Sequence, residues 1–287
     1  MNSNVKKRNV GLHLKLKTNL SSLIEAALSY KIKIFQFFLT KEKTGKYLKL
    51  DNKDLKNFLK IRKQFDDLYI HSSYWINLAS GKKIGYQTSQ KLLKKEIELA
   101  KKLRVNFIVL HPGSASKFKS TPKDPRCRIK GIDNFTRALN KILKKENKVK
   151  ILLENTAHSN RTIGSNLNDF KLIRNKLDFP EKIKFCIDFA HAFSYGYDIE
   201  NVINFTKLLD KTMDLDNIKL IHLNDSIEKR GSRIDKHEIP GKGLIGEKIL
   251  KKLLKHPKFN NKPIILELPK VTREKTLFSL KKVHSWL

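Results

Sequence analysis

Acidic residues are scarce in this chain. Across 287 residues, 28 Asp and Glu stand against 61 Lys and Arg, a formal net charge of +33. Cysteine is scarcer still: two residues, Cys127 and Cys186, are too few for a disulfide framework or a thiolate zinc site. No apolar run approaches the roughly 18 consecutive residues of a membrane span, so no membrane partner is expected. Residues 1–20 lack both an uninterrupted apolar segment and a small-residue cleavage site, which predicts an intracellular, cytoplasmic protein rather than a secreted one. What remains is ample for a core. With 39% hydrophobic and 31% charged residues, the composition excludes a wholly disordered chain.

A charge of +33 has two explanations. Lys and Arg gain affinity for nucleic acid by displacing condensed counterions, which points to a phosphate-rich partner. Coding bias toward Lys, Asn and Ile would raise the charge without any partner. Both remain open until the site residues are considered.

Short apolar runs at 9–13, 32–39, 68–71, 106–111, 149–154, 183–188, 218–223 and 263–268 read as strands. The segments at 20–30, 53–64, 89–103, 132–146, 167–177, 199–210, 246–256 and 271–283 read as helices. Strand and helix alternate without a break, which predicts a closed (β/α)8 barrel rather than an open sheet. No Gly/Ser-rich linker divides the chain, so residues 1–287 are expected to form one domain.

A barrel demands that chemistry sit where strands end. His13, His71, His111, Glu154, Asp188, His222 and Glu267 all fall at or within a residue or two of such ends. Packing explains one polar strand end well and seven badly. Cys186-Ile187-Asp188-Phe189-Ala190-His191 adds an imidazole three residues after a carboxylate. Gly231-Ser232-Arg233-Ile234-Asp235-Lys236-His237 adds a further pair on a long loop. Imidazoles and carboxylates without thiolates suit a hydrolytic zinc or manganese site, in numbers fit for two or three ions.

Other signals carry less. Gly241-Lys242-Gly243-Leu244-Ile245-Gly246 is a literal G-x-G-x-x-G, but no strand leads into it. It is expected to open the next helix, with the option of facing DNA phosphate, rather than to bind a dinucleotide. His158 and His256 are expected in solvent, His284 at a packing or surface position, and Cys186 as a small buried hydrophobe.

Leu153-Glu154-Asn155-Thr156-Ala157, Cys186-Ile187-Asp188 with His191-Ala192-Phe193, and His222-Leu223-Asn224-Asp225-Ser226 closely resemble the signatures of the endonuclease IV family. So does Gly231-Ser232-Arg233 with Asp235 and His237, followed by the glycines at 241–246. These are zinc-dependent apurinic/apyrimidinic endonucleases on a (β/α)8 barrel, and the resemblance spans nearly the whole chain in order. It implies three Zn2+ ions per chain: one on His71, His111 and Glu154, a second on Glu154, Asp188, His222 and Glu267, and a third on His191, Asp235 and His237. It implies incision 5′ to abasic sites in duplex DNA, with Glu154 and Glu267 in catalytic roles and the protein acting as a monomer. His13, outside the nine ligands, is expected to support the site or touch phosphate. Phosphate contacts are expected from Lys43, Arg233 and Lys242. Glu238 replaces an expected second His beside His237, and the 41–47 loop lacks an obvious Arg to insert into DNA, leaving Tyr74 and Trp75 for that place. The rival readings are a sugar isomerase or epimerase using Glu154, Asp188, His222 and Glu267, and a non-catalytic DNA-binding barrel.

Overall fold

In a computed structural model, eight parallel strands close on themselves, each pairing with its predecessor in the chain and the last, Ile264–Leu266, with the first, Val10–Leu14. The strands are β1 Val10–Leu14, β2 Phe35–Phe38, β3 Leu68–His71, β4 Phe107–Leu110, β5 Lys150–Glu154, β6 Ile183–Asp188, β7 Ile218–His222 and β10 Ile264–Leu266. A two-stranded hairpin, β8 Asp225–Ser226 with β9 His237–Glu238, sits outside the barrel. The structure describes residues 8–41, 46–115, 125–146, 148–158 and 161–287.

Parallel strands place registered partners on the same side of the sheet, so the register separates inside from outside. One parity carries Ile34, Tyr69, Val109, Leu152, Cys186, Leu220 and Ile265, which form a small core of their own within the barrel. The other parity packs against the helices in a much larger core. Gly11 takes the eighth interior place on β1. A Cβ there would run into the Ile34 carbonyl, so only glycine lets β1 and β2 approach.

The helices are α1 Leu20–Ser29, α2 Asn52–Arg62, α3 Lys83–Lys102, α4 Pro125–Leu143, α5 Asn168–Arg174, α6 Phe189–Tyr195, α7 Val202–Met213, α8 Glu247–Leu254 and α9 Arg273–His284. Every expected strand and helix has a counterpart, but bounds move. Helix α3 starts six residues before the expected 89. Its first turn points Ile84 outward at 81% exposure, so no apolar periodicity announces it. The expected strand at 32–39 shrinks to β2. Two elements were not expected at all: α6 and the β8–β9 hairpin. Six of the seven α6 residues are buried, which leaves no polar face for a helical period, and two-residue strands are too short for an alternating one.

Candidate metal centre

The interior parity continues two residues beyond the barrel plug, and there it turns polar. Gly11 leads to His13, Ile34 to Gln36, Tyr69 to His71, Val109 to His111, Leu152 to Glu154, Cys186 to Asp188, Leu220 to His222, and Ile265 to Glu267. Each strand therefore contributes one polar side chain to a ring at the barrel mouth. Seven of these were expected from strand ends. Gln36 was not, although a lone polar residue within Phe35-Gln36-Phe37-Phe38 at the interior parity is a signal for it. It is fully buried.

Two further segments close over the ring. Helix α6 begins at its cap, Asp188, whose carboxylate accepts the His191 backbone N–H at 2.8 Å and so carries His191 to the mouth. The hairpin brings Asp235 and His237 back from the other side. Its tip docks on α6 through Gly231 N–H to the Phe193 carbonyl and Arg233 N–H to the Ser194 carbonyl. Its base is held by Asp225, fully buried, whose carboxylate accepts from the backbone of Ser226, Gly241, Ile245 and Gly246. The glycine-rich stretch thus turns these amides inward to Asp225, and they are not offered to a phosphate. Gly243 must lack a Cβ because the Ser226 carbonyl fills that space.

The ligand-type atoms converge. Three groups each lie with their donor atoms within 4.8 Å of one another: His71, His111 and Glu154; Glu154, Asp188, His222 and Glu267; and Asp188, His191 and His237. Asp235 approaches the third group, 3.2 Å from His191 Nε2 and 3.1 Å from His237 Nε2. Cys186 also comes within reach of Glu154 and His222. Burial pushes its thiol up to about 12, which keeps it protonated and a poor ligand, as its expected role as a buried hydrophobe required.

Hydrogen bonds choose which nitrogen each imidazole presents. His71 Nδ1 lies 2.9 Å from the Ser72 carbonyl, and His191 Nδ1 lies 2.9 Å from the Asn155 carbonyl. A carbonyl only accepts, so Nδ1 keeps its proton in both and Nε2 is the nitrogen offered to a cation at the cluster. His191 Nε2, His237 Nε2 and His111 Nδ1 are buried without a hydrogen-bond partner, despite the nearness of Asp235 to the first two. The first two face the space they share with Asp235, whereas His111 turns its other nitrogen, Nε2, to Glu154 at 3.6 Å.

The electrostatics ask for cations. Glu154 and Asp188 are fully buried, and the ion-pair partners of Glu154, Asp188, Asp235 and Glu267 among the described residues are histidines only. Burial opposes ionisation of Glu154, but His222 and His111 outweigh it and hold the carboxyl well below its usual range. Burial raises Asp188. Burial pushes His111 down to about 4, which leaves it neutral and able to donate a lone pair. Orphaned imidazole nitrogens, buried carboxylates and the absence of Lys or Arg at these contacts among the described residues fit divalent metal ions.

Asn155 and Asn224 brace the ring. Asn155 bonds the Asp188 backbone in both directions, and Asn224 donates to Asp188 Oδ2 at 2.6 Å while accepting the Glu267 N–H at 2.9 Å. Two cavities flank the cluster. One, of about 240 Å³, is lined by His111, Thr156, His158, His191 and Asp235; the other, of about 280 Å³, by His13, Lys15, Phe38, Lys41 and Trp75. Tyr74 lines both, and Tyr74 and Trp75 are 76% and 79% exposed. His158 is exposed as expected, yet it borders the first cavity. Arg233 lies on the hairpin with its guanidinium over the Tyr195 ring, and the Lys242 ammonium lies over Phe278. Lys43 lies outside the described residues.

A family model described as "Xylose isomerase-like TIM barrel" matches residues 24–285. A probable endonuclease 4 from Thermosipho melanesiensis is 38% identical over 242 residues, covering 82% of this chain and 83% of its own. The crystal structure of endonuclease IV from Thermus thermophilus covers 97% of this chain and 98% of its own, with a TM-score of 0.81 at 25% identity. A D-tagatose 3-epimerase-like protein, with a TM-score of 0.74 at 20% identity over 97% of this chain and 96% of its own, shares the fold alone. Barrel, mouth and relatives agree: the chain belongs to the endonuclease IV family of xylose isomerase-like TIM barrels.

Proposed function

We propose that this protein repairs DNA by hydrolysing the phosphodiester bond 5′ to abasic sites in duplex DNA. The products are a 3′-hydroxyl and a 5′-deoxyribose phosphate, and three zinc ions assist. The observation that carries this reading is the set of three donor groups side by side at one mouth. A sugar epimerase would employ Glu154, Asp188, His222 and Glu267 and leave His71, His111, His191, Asp235 and His237 without a task. Imidazole and carboxylate donors without a thiolate suit zinc in hydrolysis. When bound, the ions would offset the charge of a phosphodiester and of its transition state and would acidify a water.

The chain's own residues supply positioning and proton transfer. Glu154 lies at the centre, with His71, His111, His191 and His222 all within ion-pair reach. It is placed to orient an attacking water. Glu267 lies across the barrel from it and is placed to take the proton. Tyr74 and Trp75, exposed on the loop after β3, would fill the space left by a flipped nucleotide, and a baseless nucleotide flips cheaply. Lys15 and Lys41 beside His13, with Lys43, Arg233 and Lys242, would meet the backbone, and the net charge of +33 would add affinity at a distance. The same centre would also trim blocked 3′ ends, which present the same diester.

The test is incubation of the purified protein with a duplex bearing one abasic analogue, with and without a chelator, beside metal analysis by mass spectrometry. Chelator-sensitive incision on the 5′ side and about three zincs per chain are expected. An intact duplex, or one or two magnesium, manganese or cobalt ions with turnover of a ketose, would overturn the reading.

A further inference from the structure

We propose that Gln36 is a positioning residue that selects the donor atoms of one metal group, that of Glu154, Asp188, His222 and Glu267. The inference rests on the metal-dependent reading above and goes beyond it, because Gln36 is not itself a ligand.

Gln36 stands in the middle of β2, fully buried, in register with His13 on β1. Its amide nitrogen lies 2.7 Å from Glu267 Oε1 and 2.9 Å from His13 Nδ1, and its amide oxygen lies 3.0 Å from His222 Nε2. Only one arrangement of the amide satisfies these neighbours. A carboxylate oxygen accepts and cannot donate, so the NH2 end must face Glu267. The carbonyl end then faces His222 and can only accept. His222 must carry a proton on Nε2, which makes Nδ1 the nitrogen offered to a cation at the cluster, 2.9 Å from Glu154 Oε1 and 3.5 Å from Glu267 Oε2.

The same amide sorts the two oxygens of Glu267. Oε1 accepts from Gln36 and lies 3.1 Å from His13 Nδ1. Oε2 faces the cluster, 3.5 Å from His222 Nδ1 and 3.9 Å from His237 Nδ1, with the Asn224 amide nitrogen 3.5 Å away. His71 and His191 have their tautomers set by backbone carbonyls and present Nε2. His222 presents the opposite nitrogen because its anchor is a side chain on the far strand. One amide thus orients two of the four donors in this group and neither of the imidazoles that hold their protons on backbone oxygen. Partners of this kind typically carry roughly 10–100-fold of metal affinity.

The experiment uses the full chain stripped by chelator and reloaded with Zn2+ alone. Stepwise removal by a competing chelator is measured for the parent, for Gln36→Leu and for Gln36→Glu. The imidazole tautomers of the zinc-loaded parent are read by two-bond 1H–15N correlation, with thermal unfolding of the chelated proteins as a control for folding. Expected in Gln36→Leu is the release of one ion at roughly 10–100-fold lower chelator, with the others unmoved. Gln36→Glu retains the acceptor and should keep His222 protonated at Nε2. The parent spectrum needs no variant, so it decides the matter even where Gln36→Leu fails to fold. A loaded parent with the His222 proton on Nδ1, or a folded Gln36→Leu that releases all its ions as the parent does, overturns the proposal. A parent that binds no zinc defeats the metal-dependent reading instead.

Discussion

The Asp188 carboxylate accepts the backbone N–H of His191 at 2.8 Å, so the cap of α6 is itself a member of the candidate metal centre. A carboxylate suits a helix N-terminus, where unpaired amides and the helix dipole favour negative charge. The two demands can be separated. Asp188→Asn keeps a capping side chain and removes the charge, whereas Asp188→Ala removes both. With metal chelated, the Ala variant should unfold about 1 kcal/mol more easily than the Asn variant. Both should lose metal. An Asn variant that retains the parent's metal content would remove Asp188 from the centre.

Glu154→Gln should abolish incision while the barrel stays folded. The side chain is fully buried and faces four imidazoles, so the neutral amide keeps its shape but surrenders the charge that orients them. Loss of such a group commonly slows a hydrolytic site by orders of magnitude. Single-turnover cleavage of an abasic duplex is the measurement. A rate within about tenfold of the parent would exclude a central role.

A buried carboxylate away from the centre ties two mouth loops together. Glu96 on α3 accepts the Tyr47 hydroxyl at 2.9 Å, from the segment after β2, and the Ser73 N–H at 3.1 Å, from the loop after β3. Burial pushes its pKa up to about 7 from the usual 4.5, against those same hydrogen bonds, which pull it down. The folded state therefore holds this proton more tightly than the unfolded state does. Its contribution to stability is fully present below the unfolded value and is lost as pH rises toward about 7. The change amounts to about 3 kcal/mol at most. Glu96→Gln cannot titrate, so its thermal stability should gain on the parent's between about pH 5 and about pH 8. Parallel profiles would show that the native carboxylate is ionised throughout.

Trp75→Ala should weaken binding to an abasic duplex more than binding to an intact one. The indole is 79% exposed beside the cavity that holds His13, Lys15 and Lys41, and Tyr74 adjoins it. Affinity for either duplex should fall with salt at a log–log slope of roughly −5 to −7, as five to eight neutralised phosphates would give. A slope shallower than about −2 would assign most of the charge to coding bias, and equal losses on both duplexes would move the stacking residue elsewhere.

What the sequence by itself determined is local. A strand's apolar run and its interior parity are written within five or six residues, so seven polar strand ends could be read before any contact was known. Helix α6 and the β8–β9 hairpin were not legible, because six of the seven α6 residues are buried and leave no polar face, and two-residue strands carry too short a pattern. The glycines at 241–246 were visible but not their purpose, since Asp225, whose carboxylate takes their amides, lies up to 21 residues away. Gln36 was passed over for the same reason at a larger scale. Its meaning depends on Glu267 and His222, 231 and 186 residues distant. Only closure of the barrel brings β10 against β1, beside β2, and carries those partners into reach. The residue types and their parity were thus decided along the chain. Which donor atoms meet, and in which tautomer, was decided by strands that become neighbours only when the sheet closes.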